Sequence, residues 1–287
     1  MKIAIFGIEG QLGRDLADAL AAHDVIAATE ARADVTDAAA VTAIVDEARP
    51  QWVVNAAAMT HVDRCEDEAR EAFAVNAVGA GNVARACAAV GARLLHVSTD
   101  YVFDGTKGAP YVESDAPGPL NVYGASKLAG EHLVRAQCAA HAIVRTSGLY
   151  GLYPCLGKGT NFVETMLALA RDRDRVRVVC DERLSPTFAE DLAAVVRGLI
   201  EDPLPPGTFH VANEGGCAWD EFAREIFRLA GKAVVVEPIR AAEWGAPARR
   251  PADSTLENRA LRAAGRAALP PWRDALRRYL ERRGQRS

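Results

Sequence analysis

Tyr123 and Lys127 stand four residues apart in VYGASKLAGEHL, a run of helix-forming composition. At i and i+4 a phenol and an ammonium leave one face of a helix, about 6 Å apart along an axis that rises about 1.5 Å per residue. A nearby cation favours the phenolate and draws a phenol below its usual pKa of about 10. Tyr123 could then give a proton to a carbonyl oxygen while hydride reaches the carbon. The pair alone is common, and a solvated helix face has the same spacing. What gives it weight is Ser98-Thr99-Asp100-Tyr101, which follows the apolar run LLHV one βα unit earlier. Hydroxyls of Ser98 and Thr99 at the carboxyl end of a central strand can hydrogen-bond a substrate oxygen and steady the charge forming on it.

A hydride donor has its own signature at the N-terminus. Gly7-Ile-Glu-Gly10-Gln11-Leu12-Gly13 follows a strand-like run and opens a helical one. Glycines there allow a tight turn and let a pyrophosphate approach backbone N–H groups at the positive end of a helix. The spacing is GxxGxxG rather than GxGxxG, and a plain strand-to-helix turn also fits it. An acidic residue near the end of the second strand would accept hydrogen bonds from an adenosine ribose, and Glu30 and Asp34, the latter next to Val35, are placed for it. Arg32 between them could pair with a 2′-phosphate instead. The residues therefore leave NADH against NADPH open. Lys127 could also hydrogen-bond the nicotinamide ribose, and the small residues of Asn55-Ala-Ala-Ala-Met-Thr60 leave room for a cofactor at the end of the third strand.

The elements that must position these groups alternate. Strands are expected at Ile3 to Phe6, Val25 to Ala28, Trp52 to Asn55, Leu94 to Ser98 and Ala142 to Thr146. Between them Gln11 to Ala22, Asp37 to Ala48, Glu66 to Val90 and Val122 to Cys138 read as helices, the second capped by Thr36 or Asp37 and the third interrupted near Val78-Gly79. This is the pattern of an α/β chain with a Rossmann-type doubly wound parallel sheet. Beyond residue 150, Gly and Pro become denser in LYGLYPCLGKGT, DPLPPG and WGAPARRPADS. The expected organisation is a dinucleotide-binding domain over 1–150, to which later segments return, and a smaller mixed α/β substrate-binding region over 151–287, with a soft boundary.

Composition narrows the partners. The chain has 287 residues, 25% charged, with a formal charge of -4, which gives no electrostatic footprint for nucleic acid or an anionic membrane. The opening MKIAIFG is too short for a signal or membrane segment, so a cytoplasmic protein with a small-molecule partner is expected. Six cysteines lie scattered, without CxxC pairs, and read as reduced packing thiols. His96 reads as a packed strand residue, and His61 and Asp63 lack companions at ligand spacing, so no metal site is expected. The Arg-rich run from Arg277 to Arg286 reads as a solvated helix end.

Taken together, the motifs resemble the dTDP-4-dehydrorhamnose reductases, within the extended short-chain dehydrogenase/reductases that act on nucleotide sugars. The resemblance spans nearly the whole chain. It rests on GxxGQLG at 7–13, VVNAAAMTHVDRCE at 53–66, STDYVFDG at 98–105, PLNVYGASKLAGE at 119–131, RTSGLYG at 145–151, NF at 161–162 with TML from 165, SPT at 185–187 and RPADSTLEN at 250–258. It implies reduction of the C4 ketone of dTDP-4-dehydro-L-rhamnose by NADPH or NADH. By motif match, Tyr123 is the proton donor and Lys127 its ribose and pKa partner, with Thr99 and Asp100 contacting substrate. Gly10, Gln11 and Leu12 hold the pyrophosphate, Asp34 and Val35 the adenine side, and Ala58, Met59 and Thr60 lie near the nicotinamide ribose. The partner implied is a nucleotide sugar, dTDP-linked, and a homodimer is compatible with the family. Two departures fall in the expected sugar pocket: Gly148 where many members carry Trp, and Leu184-Ser185 in place of the Gly-x of GxPT. An open position 148 would admit a larger or differently oriented hexose, and Gly148→Trp is expected to improve turnover of the rhamnose precursor. The competing readings are a reductase of another 4-ketosugar, a nucleotide-sugar epimerase or dehydratase that keeps NAD bound through its cycle, and a non-catalytic dinucleotide-binding subunit.

Overall fold

A computed structural model describes residues 1–155 and 159–286 of the chain. The middle of LYGLYPCLGKGT, residues 156–158, lies outside the described residues.

The first strand, β1 (Lys2–Phe6), is apolar on both faces because both are covered: Ile3, Ala4, Ile5 and Phe6 are all fully buried. It belongs to a six-stranded parallel sheet with β2 (Asp24–Ala28), β3 (Trp52–Asn55), β4 (Arg93–Thr99), β5 (His141–Thr146) and a later strand, Gly207–His210. The order across the sheet is Gly207–His210, β5, β4, β3, β1, β2. Alternate residues divide between two cores. Ile3, Ile5, Val54, Leu95 and Val144 meet Leu12, Leu16, Leu192 and Val196 on one face, while Ala4, Phe6, Val53, Leu94 and Ile143 meet Val41, Val45, Val83 and Val134 on the other. The chain runs outward from β1 to β2 and then crosses to β3 on the other side. Its order thus reverses between β1 and β3, the switch point where a doubly wound sheet opens a ligand crevice at the carboxyl ends of its strands.

The five expected strands form within one residue at either end. Asp37, not Thr36, caps the second helix (Ala38–Ala48), its carboxylate accepting from the Ala39 and Ala40 N–H groups. The helix expected over Glu66 to Val90 is divided further than foreseen, into Val62–Asp67, Ala69–Phe73, a π-helical turn Ala74–Gly79, and Ala80–Val90. Residues 69–90 form the one described helical run long and apolar enough to cross a membrane, and more than half of it is buried within the protein.

After residue 150 the chain serves both halves of the molecule. The helix Ala189–Glu201 packs on Gln11–Ala19, and Gly207–His210 extends the sheet beside β5. The rest gathers around a third core in which Tyr150, Phe188, Phe222, Trp272 and Tyr279 pack ring on ring. Its strands are paired short segments: Leu149–Tyr150 with Thr187–Phe188, Arg183–Leu184 with Cys217–Ala218, and Arg175–Val179 with Val235–Ile239.

Candidate active site

The glycine turn is built by close backbone contact. Gly7 has φ +74°, and a Cβ on it would lie 2.6 Å from the Ala57 nitrogen. A Cβ on Gly13 would lie 2.1 Å from the Gly7 carbonyl oxygen. Both positions therefore exclude a side chain, and the turn is pressed against the end of β3, where the Ala56 N–H donates to the Phe6 carbonyl. Gly10 caps the helix Gln11–Ala19 without any side-chain hydrogen bond, which leaves the positive end of that helix open to an anion. This uncapped, Cβ-free cradle fits a dinucleotide pyrophosphate. Gln11 and Leu12 are buried in the first turn, and Gln11 Oε1 accepts from Asn161 Nδ2 at 3.2 Å.

Farther along the crevice, Glu30, Arg32 and Asp34 are exposed and Val35 is buried. Asp34 closes a local turn, accepting from the Thr36 N–H and hydroxyl, while Arg32 donates to the Ala27 carbonyl. Glu9, which the sequence reading passed over, reaches the same place: its carboxylate accepts the Glu30 N–H at 3.1 Å.

Ala58, Met59 and Thr60 follow β3 and are half-buried. A residue not foreseen, Asn76, holds this loop. Its Oδ1 accepts the Met59 N–H at 2.9 Å, and its Nδ2 donates to the Met59 carbonyl at 3.1 Å and to Ser126 Oγ at 3.0 Å. Asn76 sits in the π-helical turn, and its carbonyl would be 2.3 Å from a Cβ on Gly130, so only glycine lets the Tyr123 helix approach there.

That helix, Val122–Gln137, begins at Asn121, whose Oδ1 accepts the Gly124 N–H. A Cβ on Gly124 would lie 2.1 Å from the Tyr101 carbonyl oxygen, which fixes the first turn against the end of β4. Tyr123 is thereby set edge-on to Tyr101, with ring centroids 5.9 Å apart, and its phenol lies on the side of the Thr99 hydroxyl. Burial pushes the phenol above its ordinary range, only partly offset by Thr99. The lowered phenol expected from the Tyr123–Lys127 spacing is therefore not what this structure has. The reason is where the ammonium goes: Lys127 Nζ donates to the Val97 carbonyl at 2.6 Å, and burial draws it down to about 8.

The same helix face continues to Glu131, which is fully buried and was also missed. It accepts from Arg145 Nε at 2.8 Å, Arg145 Nη2 at 2.7 Å and Ser98 Oγ at 2.7 Å. Burial pushes this carboxyl up, but Arg145, Ser98 and Arg135 together outweigh it and hold it at about 2. The hydroxyl expected from Ser98 at the rim is thus turned inward to a structural pair, leaving Thr99 as the hydroxyl beside Tyr123.

Asp100 is 3% exposed, and its carboxylate is met by three hydroxyls: Thr99 at 3.1 Å on Oδ1, and Ser147 at 2.8 Å and Ser254 at 2.6 Å on Oδ2. Gly148 follows with φ +51°, and a Cβ there would lie 2.4 Å from Leu184 Cδ1. Position 148 is therefore not an open gap: Leu184 fills the space, and the backbone disfavours any side chain. This corrects the expectation that Gly148→Trp improves turnover. The expected result is a lower melting temperature in Gly148→Trp, with part of the loss recovered when Leu184→Gly is added, as measured by thermal denaturation of the single and double variants.

His96 is buried in β4, with Nδ1 accepting from Asn55 Nδ2, and burial keeps it neutral well below its ordinary range. His61 caps its own helix at the Arg64 N–H, and Asp63 pairs with Arg250 at 2.9 Å. Among the described residues no group of three His, Cys, Asp or Glu could hold a metal ion.

Comparison with known proteins places the chain in a family. The model of the RmlD substrate binding domain matches residues 1–284. The chain is 41% identical to the spore coat polysaccharide biosynthesis protein SpsK of Bacillus subtilis, covering 98% of each. It is 39% identical to the dTDP-4-dehydrorhamnose reductase of Sinorhizobium fredii, covering 98% of this chain and 97% of that one. Among solved structures, the dTDP-4-dehydrorhamnose reductase of Bacillus anthracis in complex with NADP superposes with a TM-score of 0.94 at 41% identity, covering 98% of this chain and 99% of that one. With its glycine turn, its Thr99–Tyr123–Lys127 cluster and full-length similarity of this order, the chain belongs to the RmlD family, that of the dTDP-4-dehydrorhamnose reductases.

Proposed function

We propose that the chain reduces the C4 ketone of dTDP-4-dehydro-L-rhamnose to dTDP-L-rhamnose, using NADPH or NADH. The observation that carries this reading is the placement of Thr99, Tyr123 and Lys127 together at the carboxyl end of β4, beside an uncapped glycine turn that suits a dinucleotide. Bound cofactor supplies the hydride. Gly7, Gly10 and Gly13 leave the pyrophosphate room, with Gln11 and Leu12 in the first turn; Glu30, Asp34 and Val35 take the adenosine end, and Ala58, Met59 and Thr60 the nicotinamide ribose. Tyr123 gives its phenolic proton to the C4 oxygen, and burial keeps that proton on the phenol until it is needed. Lys127, charged at neutral pH, exchanges part of its bond to Val97 for the ribose hydroxyls. Gly148 and Leu184 together shape the sugar end. The division into a cofactor-binding part over 1–150 and a substrate-covering part after it, a cytoplasmic location and a homodimer belong to the same reading.

The test is a spectrophotometric assay of NADPH and NADH consumption against dTDP- and UDP-linked 4-ketosugars. One reduced cofactor consumed per dTDP-linked 6-deoxy-4-ketohexose supports the reading. Turnover without net consumption, in protein that carries bound NAD, is the epimerase outcome and overturns it. Exposed Glu30 and Asp34 beside Arg32 predict that the affinities for NADPH and NADH differ by less than about tenfold, or about 1.4 kcal/mol. Fluorescence titration checks this, and a hundredfold preference either way contradicts it.

A further inference from the structure

A single amide ties the later half of the chain to the glycine turn. Asn161, the first residue of the NF pair, stands just ahead of the helix Phe162–Asp172. Its Oδ1 accepts the Glu164 N–H at 3.0 Å, and its Nδ2 donates to the Gly151 carbonyl at 3.0 Å and to Gln11 Oε1 at 3.2 Å. Glu164 and Gly151 contribute backbone groups, of which the first can only donate and the second only accept. They leave the Asn161 amide one orientation, with both of its hydrogens committed. The atom of Gln11 that meets it must then be an acceptor, so Oε1 faces Asn161 and Nε2 faces away.

The rest of the Gln11 side chain is confined as well. A Cβ on Gly151 would lie 3.1 Å from Gln11 Cγ, so the chain there presses on its stem, and the residue is only 7% exposed. Gln11 opens its helix directly after the uncapped Gly10. Cα–Cβ bonds tilt toward the N-terminus of a helix, which carries this side chain back toward the open end. There Nε2 has two hydrogens and, among the described residues, no acceptor. Free amide hydrogens beside the free N–H groups of a helix end suit an anion whose oxygens only accept.

We propose that Gln11 Nε2 donates to the cofactor pyrophosphate and that Asn161 is the positioning residue that turns it there. Asn161 touches no reacting atom and acts through Gln11 alone. Because Asn161 is fastened to Gly151 and to the start of Phe162–Asp172, the grip on the cofactor depends on how the later half of the chain is seated against the first helix.

The inference rests on the glycine turn as the dinucleotide site, and the experiment separates the two. It measures Kd for NADPH by fluorescence, and kcat at saturating NADPH, for the wild type, Gln11→Met, Asn161→Asp and the double variant. Gln11→Met keeps the bulk and deletes the donor, and should raise Kd about tenfold, the weight of one hydrogen bond to a charged group. Asn161→Asp still accepts the Glu164 N–H and keeps the helix cap, but has no hydrogen for Gln11. The Gln11 amide then turns Nε2 to the new carboxylate and away from the pyrophosphate. Kd should rise about tenfold or more, with kcat changed less than about threefold. The added charge acts with or without Gln11, so its share cancels in the cycle. The double variant should bind at least about fivefold more tightly than the product of the single effects implies. If Asn161→Asp does not fold, Asn161→Ser, which also keeps the cap, takes its place, with Kd raised at least about threefold alone and no further in Gln11→Met. Effects that simply multiply, or a Gln11→Met protein that binds NADPH like the wild type, overturn the inference. A wild type that binds neither NADPH nor NADH instead removes the dinucleotide reading beneath it.

Discussion

Tyr123→Phe is expected to lower kcat by about 10²- to 10⁴-fold while cofactor affinity changes little, because the ring and its edge contact with Tyr101 remain and only the proton is lost. The burial that raises the phenol makes the prediction sharper: no ionised fraction competes at neutral pH, so the whole enzyme population depends on this one hydroxyl. Lys127→Ala should behave differently. Its ammonium bridges the sheet at Val97 and is assigned to the ribose, so cofactor binding and turnover should weaken together. Steady-state kcat and cofactor Kd by fluorescence on folded variants separate the two cases. A Tyr123→Phe enzyme keeping more than about a tenth of the rate, with chemistry rate-limiting, means that another group gives the proton.

Arg145→Met should cost about 3–5 kcal/mol of stability, since it strips the two strongest contacts from a carboxylate that has no access to water. The sign with pH is definite. In the wild type the Glu131 carboxyl is lowered to about 2, so its stabilisation is complete above the ordinary carboxyl pKa and disappears as pH falls through about 2. Without Arg145, burial dominates and the carboxyl rises, so the variant is penalised at neutral pH and recovers as Glu131 takes a proton. The gap between wild type and Arg145→Met should therefore narrow on acidification, as urea titrations at several pH values would show. Adding Glu131→Gln should restore much of the loss at neutral pH, and equal destabilisation of single and double variants would contradict the argument.

The sheet was legible because its strands are short apolar runs separated by helices of clear period, and the Thr99–Tyr123–Lys127 cluster because strand end and helix face follow from local spacing. Glu131 could have been read the same way, as the next i+4 step after Lys127. Its partner Arg145 could not, since the pair is made by the packing of helix on sheet. Asn76 was hidden in a stretch that reads as ordinary helix, and no periodicity reports a π turn. Ser147 and Ser254 reach Asp100 from strand ends and loops separated from it by up to 154 positions. Leu184 could be paired with Gly148 only in three dimensions, which is why that position looked vacant. The second half resisted for a simpler reason: several of its strands have two residues, too few to show alternation.

The π turn at Ala74–Gly79 also says how this chain tolerates changes of length. Such a turn is an α-helix carrying one surplus residue, so a single-residue deletion there would relax it to ordinary helical winding and leave the helix itself intact, even favoured. The cost would appear elsewhere: Asn76 would rotate by about 100° out of register with Met59, Ser126 and the Gly130 gap. A well-formed, thermally robust protein with a loosened loop around Met59 is the outcome to look for. The extra residue is then a spacer whose presence local folding opposes and the geometry between β3 and the Tyr123 helix requires.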